Sequence, residues 1–305
     1  MSSGNPLKPV YLRSYKEGQL YNKISLINSI HRECTACPHR CLTDRTQYKS
    51  GKCKSGNLPV VSSWCAHFGE EAPLTGFNGS GTIFFTNCNL ACIFCQNYDI
   101  SQYGIGTEVS HSILAGMMID LQNRGCHNIN FVSPTHMVHA ILKALPEAIE
   151  MGLHIPLVYN SGGYDDVSTI RLLDGVFDIY MPDFKYMDNK ISGELSGIDD
   201  YVEFATASIL EMHRQVGDLV VDDRGIARRG LIIRHLVLPD NIAKTDKVID
   251  YVNSISQNTY FNLMDQYRPA FNANKYIKIN RRLTRAEYEQ AYNYAVSTGL
   301  KRLAN

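Results

Sequence analysis

Short apolar runs rich in β-forming residues alternate with segments of helical spacing from residue 76 to the end of the chain, and this order constrains the fold most. The runs lie at Thr82–Thr86, Asn128–Ser133, Ile155–Tyr159, Asp178–Met181, Leu231–Leu238 and Thr259–Leu263. Near-continuous apolar strands are typical of a parallel sheet with both faces buried. Because helical segments separate the runs, the sequence predicts an α/β protein built as a partial (β/α)6 barrel of the TIM type.

The nine cysteines are unevenly distributed, and their pattern indicates where the chain divides. Four of them form a C-x2-C-x3-C-x11-C pattern in a polar segment, and they are Cys34, Cys37, Cys41 and Cys53. The stretch 72–76, which contains proline and glycine, precedes the first predicted strand. We therefore expect a cysteine-rich, metal-binding extension over residues 1–75 and a barrel domain over residues 76–305.

Three further cysteines lie in one loop directly after the first predicted strand. Cys88, Cys92 and Cys95 have the spacing C-x3-C-x2-C. In β/α barrels, the loops that leave the carboxyl ends of the strands carry the chemistry. Three thiolates there can hold three irons of a 4Fe–4S cluster and leave the fourth iron open to a ligand. The alternative is a structural zinc site or incidental cysteines, but structural zinc takes four ligands and no fourth one is adjacent.

The four N-terminal cysteines allow three interpretations. Four thiolates satisfy either zinc or an auxiliary iron–sulfur cluster, and the third interpretation is a group of reduced thiols without a metal. Cys65 lies near enough in the sequence to replace one ligand. The tight C-x2-C-x3-C start favours a metal, and the residues alone do not separate zinc from iron–sulfur.

Composition limits the environment and the partners. Many cysteines without an apolar N-terminal secretory signal favour a reducing compartment, so we expect a cytoplasmic protein. The formal net charge is +0, from 30 basic and 30 acidic residues, which gives no reason to expect a nucleic-acid partner. No apolar run approaches the roughly 18 residues that span a bilayer, so no membrane partner is expected.

The spacing of Cys88, Cys92 and Cys95, with Phe94 directly before the third cysteine, resembles the signature of the radical S-adenosylmethionine (SAM) superfamily. The chain is further similar to a subgroup related to pyruvate formate-lyase activating enzyme. This similarity includes the N-terminal cysteines and the segments His67–Glu71, Gly79–Phe85, Gln96–Tyr98 and Asn280–Thr284. It implies a partial barrel of the radical SAM type, with a 4Fe–4S cluster and SAM as cofactors.

The resemblance also implies a reaction. The open iron would bind the amino and carboxylate groups of SAM, and one-electron reduction would yield methionine and a 5′-deoxyadenosyl radical that abstracts hydrogen from a substrate. The implied catalytic residues are the three loop cysteines, and Phe94 would pack near the adenine. A one-electron donor of the flavodoxin or ferredoxin type is implied as a partner.

The ends of later strands are implied to supply further SAM contacts. Where relatives often carry Gly-Gly-Glu, this chain has Val132-Ser133-Pro134-Thr135-His136, so Ser133, Thr135 or a backbone carbonyl would meet the amino group. The turn Asn160-Ser161-Gly162-Gly163-Tyr164 resembles the Thr-Asn-Gly turn of glycyl-radical activating enzymes. Asn160 would accordingly contact the methionyl carboxylate or the ribose.

Two more implied contacts are charged. Asp183 and Lys185 resemble the Asp-Leu-Lys motif of the same enzymes, in which the lysine would pair with the SAM carboxylate as a point charge. Arg234 and His235 interrupt an apolar run, and a buried polar group is costly unless it is paired or faces a cavity. Because neighbouring strand positions face opposite sides, only one of the two can face the interior, and we favour Arg234.

Three functions are consistent with these features. The first is a radical SAM enzyme that acts on an unidentified small molecule, peptide or protein. The second is a glycyl-radical enzyme activase, against which stands the absence of a Gly-x-Arg segment before Cys88. The third is a non-catalytic metal-binding scaffold, against which the intact set of three loop cysteines argues.

Overall fold

A computed structural model describes residues 7–47 and 51–304 of the chain. The strands are β1 (Val60–His67), β2 (Ser80–Phe85), β3 (Thr107–Glu108), β4 (Ile129–Val132), β5 (Leu157–Ser161), β6 (Ile179–Pro182), β7 (Val220–Val221), β8 (Ala227–Leu236), β9 (Tyr260–Met264) and β10 (Arg302–Ala304). They form one ten-stranded sheet in the order β10-β9-β8-β6-β5-β4-β2-β1-β3, with β7 paired to β8 beside this path.

Helices connect most of the strands. They are α1 (Val10–Lys16), α2 (Gln19–Arg32), α3 (Ala72–Thr75), α4 (Tyr98–Ser101), α5 (His111–Asn123), α6 (Val138–Glu150), α7 (Val167–Leu172), α8 (Asn189–Ser196), α9 (Tyr201–Val216), α10 (Thr245–Ile255) and α11 (Arg285–Ser297). Short 3-10 helices lie at Pro239–Asn241, Ala273–Lys275 and Ile277–Ile279. Among the described residues, no helix is long and apolar enough to cross a membrane.

The predicted α/β class is confirmed. Strands β2, β4, β5, β6, β8 and β9 correspond to the six predicted runs, and each pairs in parallel with its neighbour in this series. The sheet path ends at β3 on one side and β10 on the other, so the sheet is not closed. Curvature into a partial barrel therefore stays a prediction.

Strand β1 was not predicted, although its Val60-Val61 start and Trp64 are β-forming residues. It runs antiparallel to β2 and joins the same sheet as the six parallel strands. It lies N-terminal to residue 75, where the sequence analysis places the boundary. The division into an extension and a barrel domain thus stays a prediction.

Alternate residues of the strands pack into two separate apolar layers. One face of the sheet carries aromatic residues such as Phe85, Phe131 and Tyr159, and it belongs to the large core beneath the helices. The other face carries Val158, Met181 and other residues of a second, smaller apolar cluster. We call this second face the pocket face, because the polar site described below continues along it.

The first helix covers the amino ends of the parallel strands. The backbone N–H of Val10 donates to the Asp178 carboxylate at 2.8 Å, and the Tyr11 hydroxyl donates to the Ile155 carbonyl at 2.9 Å. Both acceptors precede strands, so α1 lies at the amino edge of the sheet. The carboxyl edge is thereby left to the loops that follow the strands.

Candidate active site at the carboxyl edge of the sheet

One cavity of about 300 Å³ lies at the carboxyl edge. Its walls come from the loops after β2, β4, β5 and β6 and from the ends of β8 and β9. Nine residues singled out in the sequence line it: Cys88, Cys92, Phe94, Cys95, Ser133, Asn160, Asp183, Lys185 and Arg234. Parallel strands bring these distant residues to one edge, as their order along the chain requires.

The cysteine loop is held in place by backbone hydrogen bonds to α8. The N–H of Ala91 donates to the Ser196 carbonyl at 3.1 Å, and the N–H of Ile93 donates to the Leu195 carbonyl at 2.9 Å. Asn87, which leads into the loop, has a φ of 65°, in the left-handed region that Asn tolerates better than most residues. The loop is therefore a defined turn that presents its cysteines to the cavity.

Burial acts strongly on two thiols of this loop, those of Cys88 and Cys92. Burial raises the pKa of Cys88 to about 12 and also raises the pKa of Cys92, while the nearby Lys185 ammonium acts in the opposite direction on both. Without a metal these groups are protonated at neutral pH. Metal binding must therefore release protons, as is usual for thiolate ligands.

No three His, Cys, Asp or Glu side chains within residues 7–47 and 51–304 are arranged to hold a single metal ion. A single zinc ion would require its sulfurs to lie about 2.3 Å from one point. A cluster has a different requirement, since each cysteine binds a separate iron. The three thiols that share the cavity wall are donors of the kind that iron–sulfur clusters take.

A charged network faces the cysteines across the cavity. The two oxygens of Asp183 accept hydrogen bonds from Arg234 Nε at 2.8 Å and from Lys185 Nζ at 2.7 Å. Burial alone would raise the pKa of Asp183, but the two cations outweigh it and hold the pKa below its ordinary value. Asp183 is consequently an ionised carboxylate that fixes both cations. His235 lies on the opposite face and bonds Phe184 and Thr245 instead.

Two glutamates that the sequence analysis did not assign to the site extend this network on the pocket face. Arg234 Nη1 donates to Glu70 Oε2 at 3.2 Å, and Asn262 Nδ2 donates to Glu71 Oε1 at 2.8 Å. Glu71 Oε2 and both side-chain amide atoms of Asn130 are buried without a hydrogen-bond partner among the described residues. The only sequence signal was the segment that contains the glutamates, which was noted for its family similarity.

Of the two candidates after β4, only Ser133 reaches the cavity. It has a φ of 56°, which is uncommon for a non-glycine residue and is frequent at functional sites. Thr135 lies behind the cavity wall, where its hydroxyl donates to the buried Asp165 carboxylate at 2.6 Å. Tyr159 and Ser161 donate to the same carboxylate. Thr135 therefore stabilises the strand-end loops and does not line the cavity.

The four N-terminal cysteines are neighbours in the structure. Burial raises the pKa of Cys37, and its electrostatic interactions with Cys53, Cys34 and Cys41 raise it further. The segment turns back on itself, since the N–H of Cys34 donates to the Thr43 carbonyl at 3.1 Å. Cys65 lies on β1 near Cys126.

A buried arginine adjoins this group. Arg45 is 2% exposed, and its guanidinium donates to the carbonyls of Ser55 and His136 at 2.9 and 2.8 Å. A third donor points at Cys34 Sγ, 3.8 Å away. Among the described residues Arg45 forms no ion pair with a carboxylate. A buried cation is costly unless it is paired, and Cys34 is the cysteine that its third donor faces.

The N-terminal cysteine segment packs directly on the cavity loops. His39 Nε2 donates to the Asn89 carbonyl, between Cys88 and Cys92, at 2.7 Å. Arg40 pairs with Asp166 at 3.0 Å. The two groups of cysteines therefore belong to one packed region.

The fold and the cavity define an α/β protein whose candidate site lies at the carboxyl edge of a parallel sheet. No family model matches the chain. It is 35% identical over 293 residues to "Uncharacterized protein MJ0674" from Methanocaldococcus jannaschii. The aligned region covers 93% of this chain and 80% of that protein. The chain belongs to the same family as that protein.

A solved structure, described as "Structure of TYW1 with a lysine-pyruvate adduct bound", is similar over 73% of this chain and 76% of its own. The TM-score is 0.44 and the sequence identity is 9%. A likeness this weak carries no argument about function.

Proposed function

We propose that this protein is a radical SAM enzyme that holds a 4Fe–4S cluster through Cys88, Cys92 and Cys95 and binds SAM in the adjoining cavity. The observation that carries the proposal is the cavity itself, where three thiols of radical-SAM spacing face a lysine, an arginine and strand-end amides. When bound and reduced, such a cluster supplies the electron that cleaves SAM into methionine and a 5′-deoxyadenosyl radical.

The residues of the cavity suit the polar end of SAM. Lys185 Nζ, held by Asp183, provides a positive charge for a carboxylate. Asn160, whose Oδ1 already accepts from Arg234 Nη2 at 2.7 Å, keeps its amide N–H groups available to a ligand. These side chains bind and orient the methionyl group.

The apolar residues of the cavity suit an aromatic base. Phe94 is 7% exposed and lines the cavity, and its ring meets Tyr267 edge to face with centroids 6.0 Å apart. Leu90, Leu236 and Met264 add apolar surface. This wall packs the adenine and excludes water from the reacting atoms.

We also infer that Cys34, Cys37, Cys41 and Cys53 bind a metal, either zinc or an auxiliary iron–sulfur cluster. A single zinc ion would require these thiols to move closer together than the described structure holds them. Their proximity and the buried Arg45 support an anionic thiolate site. The electron donor, the substrate and the glycyl-radical activase alternative stay predictions from the sequence.

The test is anaerobic reconstitution with iron and sulfide, reduction with dithionite, addition of SAM and an assay for 5′-deoxyadenosine. We expect product from the wild-type protein and none from Cys92→Ala, because two thiolates do not hold the cluster. Cys126→Ala is the matched control, since Cys126 is a buried cysteine outside the cavity.

Retention of SAM cleavage by Cys92→Ala would overturn the assignment of the three cysteines. A well-formed cluster in the wild-type protein that yields no 5′-deoxyadenosine would instead support the non-catalytic scaffold.

A further inference from the structure

Two of the three cavity sulfurs contact side-chain hydroxyls. Cys92 Sγ lies 3.0 Å from Ser196 Oγ, at the end of α8. Cys95 Sγ lies 3.1 Å from Ser101 Oγ, at the end of α4. With neutral thiols, either atom of each pair can donate the proton.

Each serine is in turn held by another polar side chain. The Tyr186 hydroxyl lies 2.8 Å from Ser196 Oγ. Gln102 Nε2 donates to Ser101 Oγ at 3.2 Å. Tyr186 and Ser196 are both 0% exposed, so water does not compete for the hydrogen bond between them.

Deprotonation of the two cysteines on metal binding fixes which group donates in each series of hydrogen bonds. A thiolate can only accept, so each serine must donate its single proton to sulfur. Ser196 then accepts from Tyr186, and Ser101 accepts from Gln102. Burial raises the pKa of Tyr186 well above its ordinary value, so the phenol keeps the proton that it donates.

The third sulfur has no such hydroxyl among the described residues. Cys88 Sγ accepts only from the backbone N–H of Leu90, at 3.4 Å. Its other polar neighbour, Asn89 Oδ1, is an acceptor and offers no proton to a thiolate. The hydroxyl donors are therefore specific to Cys92 and Cys95.

We propose that Ser196 and Ser101 tune the cluster by donating hydrogen bonds to two of its sulfurs, with Tyr186 and Gln102 orienting the two hydroxyls. This inference rests on the proposed function. Hydrogen bonds to the sulfurs help to set the reduction potential of an iron–sulfur cluster. They stabilise the added negative charge of the reduced state, so they favour acceptance of the electron that SAM cleavage needs.

The test is a redox titration of the reconstituted protein, followed by electron paramagnetic resonance of the reduced cluster. We expect Ser196→Ala to lower the one-electron reduction equilibrium constant about tenfold, which is about 59 mV toward negative potential. Tyr186→Phe should shift it in the same direction by less, because Ser196 stays but loses its orienting partner.

Two variants provide matched controls. Ser192→Ala removes an equally buried hydroxyl from the same helix, but Ser192 donates to the carbonyls of Asn189 and Ile198 and contacts no sulfur. The reduction potential of the cluster in Ser192→Ala should equal that of the wild-type protein. At the half-buried Ser101, Ser101→Ala should shift the potential, and Ser101→Thr, which keeps the hydroxyl, should restore it.

Unchanged potentials in Ser101→Ala and Ser196→Ala, in proteins that hold the cluster, would overturn the inference. If Ser196→Ala fails to fold, Ser101→Ala and Ser101→Thr decide the matter. Failure of the proposed function has a different signature, since the wild-type protein would then either show no 4Fe–4S spectrum or hold the cluster and yield no 5′-deoxyadenosine.

Discussion

At the scale of single residues, Arg234 joins several parts of the candidate site, because it hydrogen-bonds three side chains from different segments. Its three guanidinium nitrogens donate to Asp183, Glu70 and Asn160 at 2.8, 3.2 and 2.7 Å. Burial raises the pKa of Glu70, and Arg234 acts against that rise. A planar guanidinium group, with donors on all three nitrogens, is needed to reach three acceptors on three different segments.

We predict that Arg234→Lys destabilises the protein although it keeps the charge. One ammonium cannot reach all three acceptors, and each buried partner left unpaired costs about 1–3 kcal/mol. The measurement is the free energy of unfolding in urea for the metal-free protein. Arg285→Lys, at an exposed position that pairs only with Glu289, should change it by less than about 0.5 kcal/mol. Equal losses in the two variants would contradict the prediction.

At the scale of elements, buried histidines lie where α2 meets α6. The rings of His31 and His139 stack with centroids 3.7 Å apart, and His136 lies just before α6. Burial and the nearby Arg45 lower the pKa of His31 to about 3, and burial lowers that of His136 to about 4. Both rings are therefore neutral in the folded protein well below pH 6.

We predict that these histidines make the folded protein less stable in acid. The unfolded chain takes up protons near pH 6.5 and the folded chain does not, so the free energy of unfolding falls as the pH drops from about 6.5 toward 4. Each histidine contributes up to about 1.4 kcal/mol per pH unit. The measurement is urea unfolding at pH 7 and pH 5.5.

The prediction needs variants, because Asp178 acts in the opposite direction. Burial raises the pKa of Asp178 to about 7, so the folded chain binds more protons there as the pH falls. His31→Gln should have a smaller loss of stability between pH 7 and 5.5 than the wild type. The exposed His154→Gln should retain the wild-type loss, and a His31→Gln loss equal to it would contradict the prediction.

At the scale of the whole molecule, the two groups of cysteines lie next to each other but do not share a cavity. They are connected through His39 and Asn89, whereas no cysteine from residues 34–53 lines the cavity. Loss of one site should therefore leave the cysteines of the other in place.

We predict that Cys37→Ala lowers the content of bound metal, or the stability, and leaves the cavity cluster intact. The measurements are zinc and iron content and 5′-deoxyadenosine formation. Cys65→Ala is the control, because Cys65 is on β1 beside Cys126. Unchanged zinc and iron contents in Cys37→Ala would show that the N-terminal metal site is wrong.

The predictable part of the fold follows from local pattern. The six parallel strands are short apolar runs, and buried strands of this type need no distant information to be seen. Their alternation with helices then places Cys88, Asn160, Asp183 and Arg234 at one edge of the sheet, which is why most of the candidate site could be predicted.

The rest of the site depends on contacts between residues far apart in the chain. Glu70 and Glu71 meet Arg234 and Asn262 across 164 and 191 positions, and no local pattern reports such a pairing. The resemblance implies Thr135 as a possible SAM contact, but its hydroxyl donates to the buried carboxylate of Asp165 and Thr135 does not line the cavity.

The sequence by itself determined the order of strands and helices and the spacing of the two groups of cysteines, since both are properties of neighbouring residues. Only the tertiary structure decided which polar side chains meet. It brings Ser196 to Cys92 across 104 positions and Glu70 to Arg234 across 164 positions. The physical reason is that burial and hydrogen bonding are set by the packing of whole elements.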